Sequence, residues 1–208
     1  MPLYKTITVN SQTTVKIWKI TESFDDLMHS VSLKPQSLQR VMAMKSEMHQ
    51  RGFLSVRRLL QEFGYEDANL FYDENGKPHL KDGKQISITH SFNFSAIIVS
   101  DLAVGIDIEK QRDKITIIAH KFIDFENDYL DENASDCKEK LTVIWCIKES
   151  LYKLFATPGL SFKQHCLVIP ISDNENETIA WIDYEDLKYR FNIQFLEFEG
   201  FTCAFAVA

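Results

Sequence analysis

A chain of 208 residues with 45% hydrophobic content is long and apolar enough to bury a core without a metal or disulfide to hold it. Its four cysteines, Cys137, Cys146, Cys166 and Cys203, make no C-x-x-C pair, and Cys146 and Cys203 lie in apolar runs, the pattern of reduced thiols in a cytosol. A net charge of -7 argues against nonspecific nucleic-acid binding, and no stretch approaches ~20 apolar residues or carries a leader's cleavage pattern, so the expectation is a cytoplasmic protein, neither exported nor in a membrane.

Charge is uneven along the chain. Residues 1–100 carry 12 Lys and Arg against 10 Asp and Glu, whereas residues 101–208 carry 11 against 20. A basic half beside an acidic half suits a ligand with phosphates on one side and a metal on the other; it equally suits uneven surface decoration.

Residues 13–20 alternate as a strand, after which Thr21 or Ser23 can cap a short helix running to His29. Pro35 opens the next helical pattern. Residues 36–63 read as one helix, with its one break placed near Gly52, burying Val41, Met44, Met48, Leu54, Leu59, Leu60 and Phe63 and stopping at Gly64. The same helix carries Arg40, Lys45, Arg51, Arg57 and Arg58. Asn75, Gly76, Lys77 and Pro78 mark a turn. Residues 86–91 and 95–100 form a hairpin with His90 at its end, and Asp101 and Leu102 lead on into a third strand, which completes a meander.

That third strand holds the first cluster of chemistry. Alternation points Val104, Ile106 and Ile108 one way and Gly105, Asp107 and Glu109 the other, so two carboxylates share a face that Gly105, lacking a side chain, leaves open to a ligand. Residues 115–130 read as a helix with Phe122, Phe125 and Tyr129 inward, broken near Asp124, and the acids at 126, 128, 131 and 132 as solvated. Ser135 or Asp136 caps the next helix, which Pro158 and Gly159 end. At about 100° per residue, Ile144, Ile147, Leu151 and Leu154 line its buried face while Glu149 and Lys153 leave the core on the opposite one. Neither Asp107 nor Glu149 is expected to be core. Four strands finish the chain, at 166–169, 178–184, 189–198 and 201–207, with a loop at 173–177.

Taken together, these stretches resemble the 4'-phosphopantetheinyl transferase superfamily. Its G-[IV]-D-[IV]-E motif is matched at 105–109 and its W-x-x-K-E-[AS]-x-x-K motif at 145–153, without gaps and in order. Residues 86–91 resemble its I-S-[IL]-S-H-S element, with Thr89 keeping the hydroxyl of the usual serine; residues 76–78 resemble G-[KR]-P, 54–60 resemble L-A-x-R-x-L-L, and 159–163 also follow the family. Related chains often place a basic pair one to two turns before Arg57, where this chain has Met48, His49 and Arg51, so which residue meets the 3'-phosphate stays open.

The resemblance implies an α+β fold of two similar α+β halves related by a pseudo-twofold axis, with the active site in the cleft between them. Residues 1–101 would be the half facing the nucleotide of coenzyme A, and residues 102–208 the half with the metal and catalytic residues. It implies Mg²⁺-dependent transfer of the 4'-phosphopantetheine group from coenzyme A to a serine of an apo acyl or peptidyl carrier protein, releasing adenosine 3',5'-bisphosphate; Mn²⁺ in place of Mg²⁺ stays open. Asp107, Glu109 and Glu149 are the implied metal ligands. Glu149 would take the serine proton, directly or through a metal-bound water, and Lys153 would stabilise charge on the transferred phosphate with Lys148 assisting. Arg57, Lys77, Thr89, His90 and Lys153 are the implied coenzyme contacts, while Trp145 and Tyr152 pack the site. A monomer is the expected state. An acidic carrier would dock on a local basic or apolar patch, sought near Phe122 or Leu160. A non-catalytic coenzyme A or carrier-binding module is the alternative, and a metal-dependent phosphoesterase acting on nucleotides is a third reading.

Overall fold

A computed structural model describes residues 3–171 and 175–208, so Asp173 and Asn174 of the expected 173–177 loop lie outside the described residues. The chain divides into two units, Met1–Leu102 and Ala103–Ala208. No helix among the described residues is long and apolar enough to cross a membrane.

The first unit contains β1 (Leu3–Asn10), β2 (Thr13–Lys19), α1 (Phe24–Ser30), α2 (Pro35–Met42), α3 (Glu47–Glu62), β3 (Leu70–Tyr72), β4 (Pro78–Leu80), β5 (Gln85–Ser91) and β6 (Phe94–Ser100). Ser23 caps α1 by accepting from the Asp26 amide, and Asp26 answers by accepting from the Ser23 amide. An antiparallel sheet runs β1-β2-β6-β5, and β3 pairs with β4 alone. Helix α3 lies against β6, β2 and β5, where Leu54, Val56, Leu59 and Leu60 bury with Trp18, Ile86 and Ile97.

Two features differ from the sequence expectation. The helical stretch 36–63 breaks at 43–46, not at Gly52, and Met48 is exposed. Helix α3 runs through Gly52, and the missing side chain leaves room for His90: a Cβ at this position would sit 2.5 Å from Cδ2 of His90. The strand β1 was not among the expected elements, although Ile7 and Val9 alternate with Thr6, Thr8 and Asn10; it lies at the sheet edge and pairs along most of β2.

The second unit contains β7 (Val104–Lys110), α4 (Lys114–Ile118), α5 (Cys137–Phe155), α6 (Phe162–His165), β8 (Cys166–Val168), β9 (Glu177–Tyr184), β10 (Leu187–Phe198) and β11 (Phe201–Val207). Its antiparallel sheet runs β7-β11-β10-β9-β8, so β7 joins a sheet with the C-terminal strands and is no part of a meander with β5 and β6. Pairing of Asp107 with Ala204 and Glu109 with Thr202 bridges almost the whole unit in sequence. Helix α5 packs on β7 and β11, starts after Asp136, and stops where Ala156 turns left-handed at φ 51°, two residues before Pro158. The expected helix over 115–130 is α4 followed by two single 3₁₀ turns, Ala119–Lys121 and Phe125–Asp128; Phe122 is buried as expected but Phe125 is exposed.

Gly105 sits under α5. A Cβ there would lie 1.8 Å from the Ser150 carbonyl oxygen and 3.0 Å from the Leu154 amide nitrogen. The missing side chain therefore lets strand and helix backbones touch; it does not open the face to a ligand, which corrects the sequence reading.

Candidate active site

Strand alternation and the helix period bring Asp107 and Glu109 from β7 toward Glu149 and Lys153 from α5. The Lys153 ammonium donates to Asp107 Oδ1 at 2.7 Å and to the Ile106 carbonyl oxygen at 3.0 Å. Asp107 is 5% exposed, so it is a buried group, contrary to the expectation. Burial pulls the Lys153 ammonium toward neutrality, but the carboxylates of Asp107 and Glu149 outweigh it and the net direction is upward, so Lys153 stays charged. Glu149 is half-buried, and its carboxyl is pushed up to about 7, first by burial and then by the charge of Asp107, with Glu109 adding to it and Lys153 opposing. A carboxyl poised there can hold or release a proton near neutral pH.

The donor set fits a hard divalent cation. Three carboxylates supply oxygen alone, and the negative charge that Asp107 and Glu109 impose on Glu149 is what such an ion would offset. Among the described residues no three His, Cys, Asp or Glu side chains converge as they stand into a liganding group. Lys153 holds Asp107 in this arrangement.

Two thiols lie beside these carboxylates and take no part. Cys146 and Cys203 are fully buried, and burial followed by the Asp107 charge drives both upward, which leaves them as inert thiols. All four cysteines are buried and free.

Lys148 departs from expectation. It is 0% exposed and its ammonium donates to the Phe122 carbonyl oxygen at 2.7 Å, to Glu126 at 2.9 Å and to the Phe162 carbonyl oxygen at 3.1 Å. Glu126, expected to be solvated, is its fully buried partner. Neither is available to a reacting phosphate. Trp145 and Tyr152 do pack the region: Phe122, Trp145, Phe162 and Tyr152 form an edge-to-face series with centroids 5.0, 5.6 and 5.7 Å apart. A cavity of about 140 Å³ opens beside Glu109, lined by Lys110, Arg112, Ile115, Ile118 and Trp145.

The first unit holds a larger cavity of about 340 Å³, lined by Arg40, His49, Phe53, Arg57, Tyr72 and His90 among others. Of the residues expected to contact a coenzyme, Arg57 and His90 meet here. Thr89 is the buried neighbour of His90 on β5, and Lys77 stands in the β3–β4 turn outside the lining, its amide donating to Asp73 Oδ1 at 2.9 Å. Arg57 is 4% exposed, bonds Asp67 through Nε at 3.1 Å and stacks over Phe53 at 3.5 Å. Arg40 was one of five basic residues in its stretch with nothing to single it out. The fold does so, by setting its exposed guanidinium 5.6 Å from the ring centroids of Phe53 and Tyr72 at the cavity wall.

The family model of the 4'-phosphopantetheinyl transferase superfamily matches residues 103–206. The chain belongs to this superfamily. The match covers the second unit, with all three carboxylates and Lys153 inside it. Similarity also reaches the 4'-phosphopantetheinyl transferase gsp of Aneurinibacillus migulanus, 29% identical over 163 residues, which is 74% of this chain and 65% of that protein. The chain therefore spans a little under two thirds of the length of this curated relative. The α+β architecture, helix on antiparallel sheet in each unit, is that expected of the superfamily.

Proposed function

We propose that the protein transfers the 4'-phosphopantetheine group of coenzyme A to a serine hydroxyl of an acyl or peptidyl carrier protein, and that Asp107, Glu109 and Glu149 hold a divalent cation, Mg²⁺ by preference, while it does so. The observation that carries this reading is the β7–α5 pairing: a Lys153–Asp107 bond beside a carboxyl tuned to about 7, inside the stretch that matches the superfamily. Retention of all three carboxylates and the lysine argues for an enzyme over a binding module.

In the proposed reaction the serine oxygen forms a bond to the phosphorus that bears the pantetheine arm. The phosphoanhydride bond to the departing adenosine 3',5'-bisphosphate breaks, and its electron pair leaves with that product. A bound divalent cation would supply charge neutralisation at the pyrophosphate. Glu149 takes the serine proton directly or through water; its proton affinity, about 7 in the metal-free protein, would fall with the cation bound beside it. Lys153 places its ammonium against charge developing on the transferred phosphoryl oxygens, and its bond to Asp107 fixes where that charge is met.

The nucleotide end belongs in the cavity of the first unit. Arg57 is already matched by Asp67, so its share is to rigidify the wall and add field, whereas Arg40 and His90 can turn donors toward an anion. Arg40→Gln is expected to weaken coenzyme A binding about tenfold while leaving desphospho coenzyme A, which lacks the 3'-phosphate, nearly unaffected. Equal losses for both ligands in calorimetric titration would remove Arg40 from the 3'-phosphate.

Gly52→Ala separates site geometry from stability. Helix propensity favours alanine by about 1 kcal/mol, but the added Cβ displaces the His90 ring from beside α3. Expected are an unchanged or raised melting temperature and a several-fold weaker coenzyme A affinity; an unchanged affinity would put His90 outside the binding site.

An acidic carrier needs a local surface, because the chain as a whole is acidic. Phe122 and Leu160, where that surface was sought, are 1% and 8% exposed and cannot provide it. Exposed Lys110, Arg112 and Lys114, which line the cavity beside Glu109, with Ile117 of α4, 72% exposed, are the better candidate. Release of adenosine 3',5'-bisphosphate, followed by chromatography with and without apo carrier, tests the proposal: release that needs the carrier supports it, and release without it points to a phosphoesterase.

A further inference from the structure

The Lys148–Glu126 pair has no task in the mechanism above, yet it is the one fully buried ion pair among those described in the second unit. Two apolar side chains of similar size would fill the same space with less desolvation, so retaining charge here suggests that directed bonds matter. Those bonds reach four places. From α5, the Lys148 ammonium uses its three protons on Phe122 O, Glu126 and Phe162 O, the last at the start of α6. Glu126 then accepts from the Val168 amide on β8 at 2.9 Å and from the Asp124 amide at 3.2 Å.

The stretch tied down this way has only short elements: α4 has five residues and is followed by two 3₁₀ turns. Such short elements hold few backbone bonds of their own. It is also the stretch that borders the cavity beside Glu109, since Phe122 packs edge-on to Trp145, and Trp145, Ile115 and Ile118 line that cavity.

We infer that Glu126 and Lys148 are positioning residues that fix the 112–130 segment against α5 and so shape the surface presented to the carrier protein, without touching coenzyme A or the reacting phosphate. This rests on the transfer reaction proposed above. The pair acts on docking, so its loss changes how well the carrier is bound and leaves the chemical step alone.

Three variants test it: Lys148→Met, Glu126→Gln, and the double apolar change Glu126→Leu with Lys148→Met. Hydrogen exchange should quicken in residues 112–130 and stay unchanged in β7 and β11. Carrier KM should rise at least about fivefold, with kcat and the coenzyme A KM within about twofold of wild type. The double variant should melt at or above the wild-type temperature and still show the raised carrier KM, which a purely structural role would restore. Wild-type exchange in 112–130, a fall in kcat at unchanged carrier KM, or recovery of KM in the double variant would each overturn the inference. Absence of transfer by the wild type would instead strike the reaction itself, and the exchange result would still decide whether the pair holds the segment.

Discussion

Gly105→Ala should be the most damaging single-methyl change in the protein, lowering unfolding free energy by about 3 kcal/mol or more. The new Cβ would fall 1.8 Å from a backbone oxygen of α5, and neither side can give way cheaply. The strand is fixed by pairing Gly105 with Ala206, and the helix by burial of Ile144, Ile147 and Leu151. Relief would need α5 to lift from β7, which would part Lys153 from Asp107, so activity and stability should fall together. Urea unfolding of the variant measures this. A loss within about 0.5 kcal/mol with activity abolished would mean that the glycine serves ligand access after all.

Glu149→Gln should lower transfer by about 10³-fold or more while making the metal-free protein more stable above neutral pH. The sign follows from linkage. Glu149 has a proton affinity near 4.5 when unfolded and about 7 when folded, so its favourable contribution is complete below the lower value and is lost as pH rises through the higher one. Above pH 7 the folded chain must ionise a half-buried carboxyl beside Asp107, a penalty on the order of 2 kcal/mol once partial solvation is allowed for. The glutamine variant carries no such penalty, so its metal-free melting temperature should exceed wild type at pH 8 and match it near pH 5. Added Mg²⁺ should raise the melting temperature of wild type at pH 8 more than that of the variant, because the ion binds the charged carboxylates. Parallel melting curves at both pH values would contradict this picture of Glu149.

How far the sequence led is clearest at the carboxylates. Period two on β7 and period 3.6 on α5 are local properties, and they put Asp107, Glu109, Glu149 and Lys153 on chosen faces before any fold was known. What local pattern could not supply was the partner of each face. Gly105 looked open because nothing in 104–109 records that α5 lies 45 residues further on against it. The expected meander placed β7 beside β6, its neighbour in sequence, whereas β7 pairs with β11 nearly a hundred residues away. Glu126 looked solvated because acids outside a periodic helix usually are, and only Lys148, 22 positions on, makes its burial tolerable. Arg40 and Arg57 were alike in local pattern, and the family resemblance alone had singled out Arg57. The fold separated them by giving Arg57 a buried aspartate and Arg40 an aromatic cavity wall.

The most direct test of the central claim is the intact mass of an apo carrier protein after incubation with this protein, coenzyme A and Mg²⁺, with and without chelator. A gain of one phosphopantetheinyl group on the carrier, lost with chelator and with Glu149→Gln, is the predicted result. An unchanged mass across acyl and peptidyl carriers, from a protein that still binds coenzyme A tightly, would contradict it.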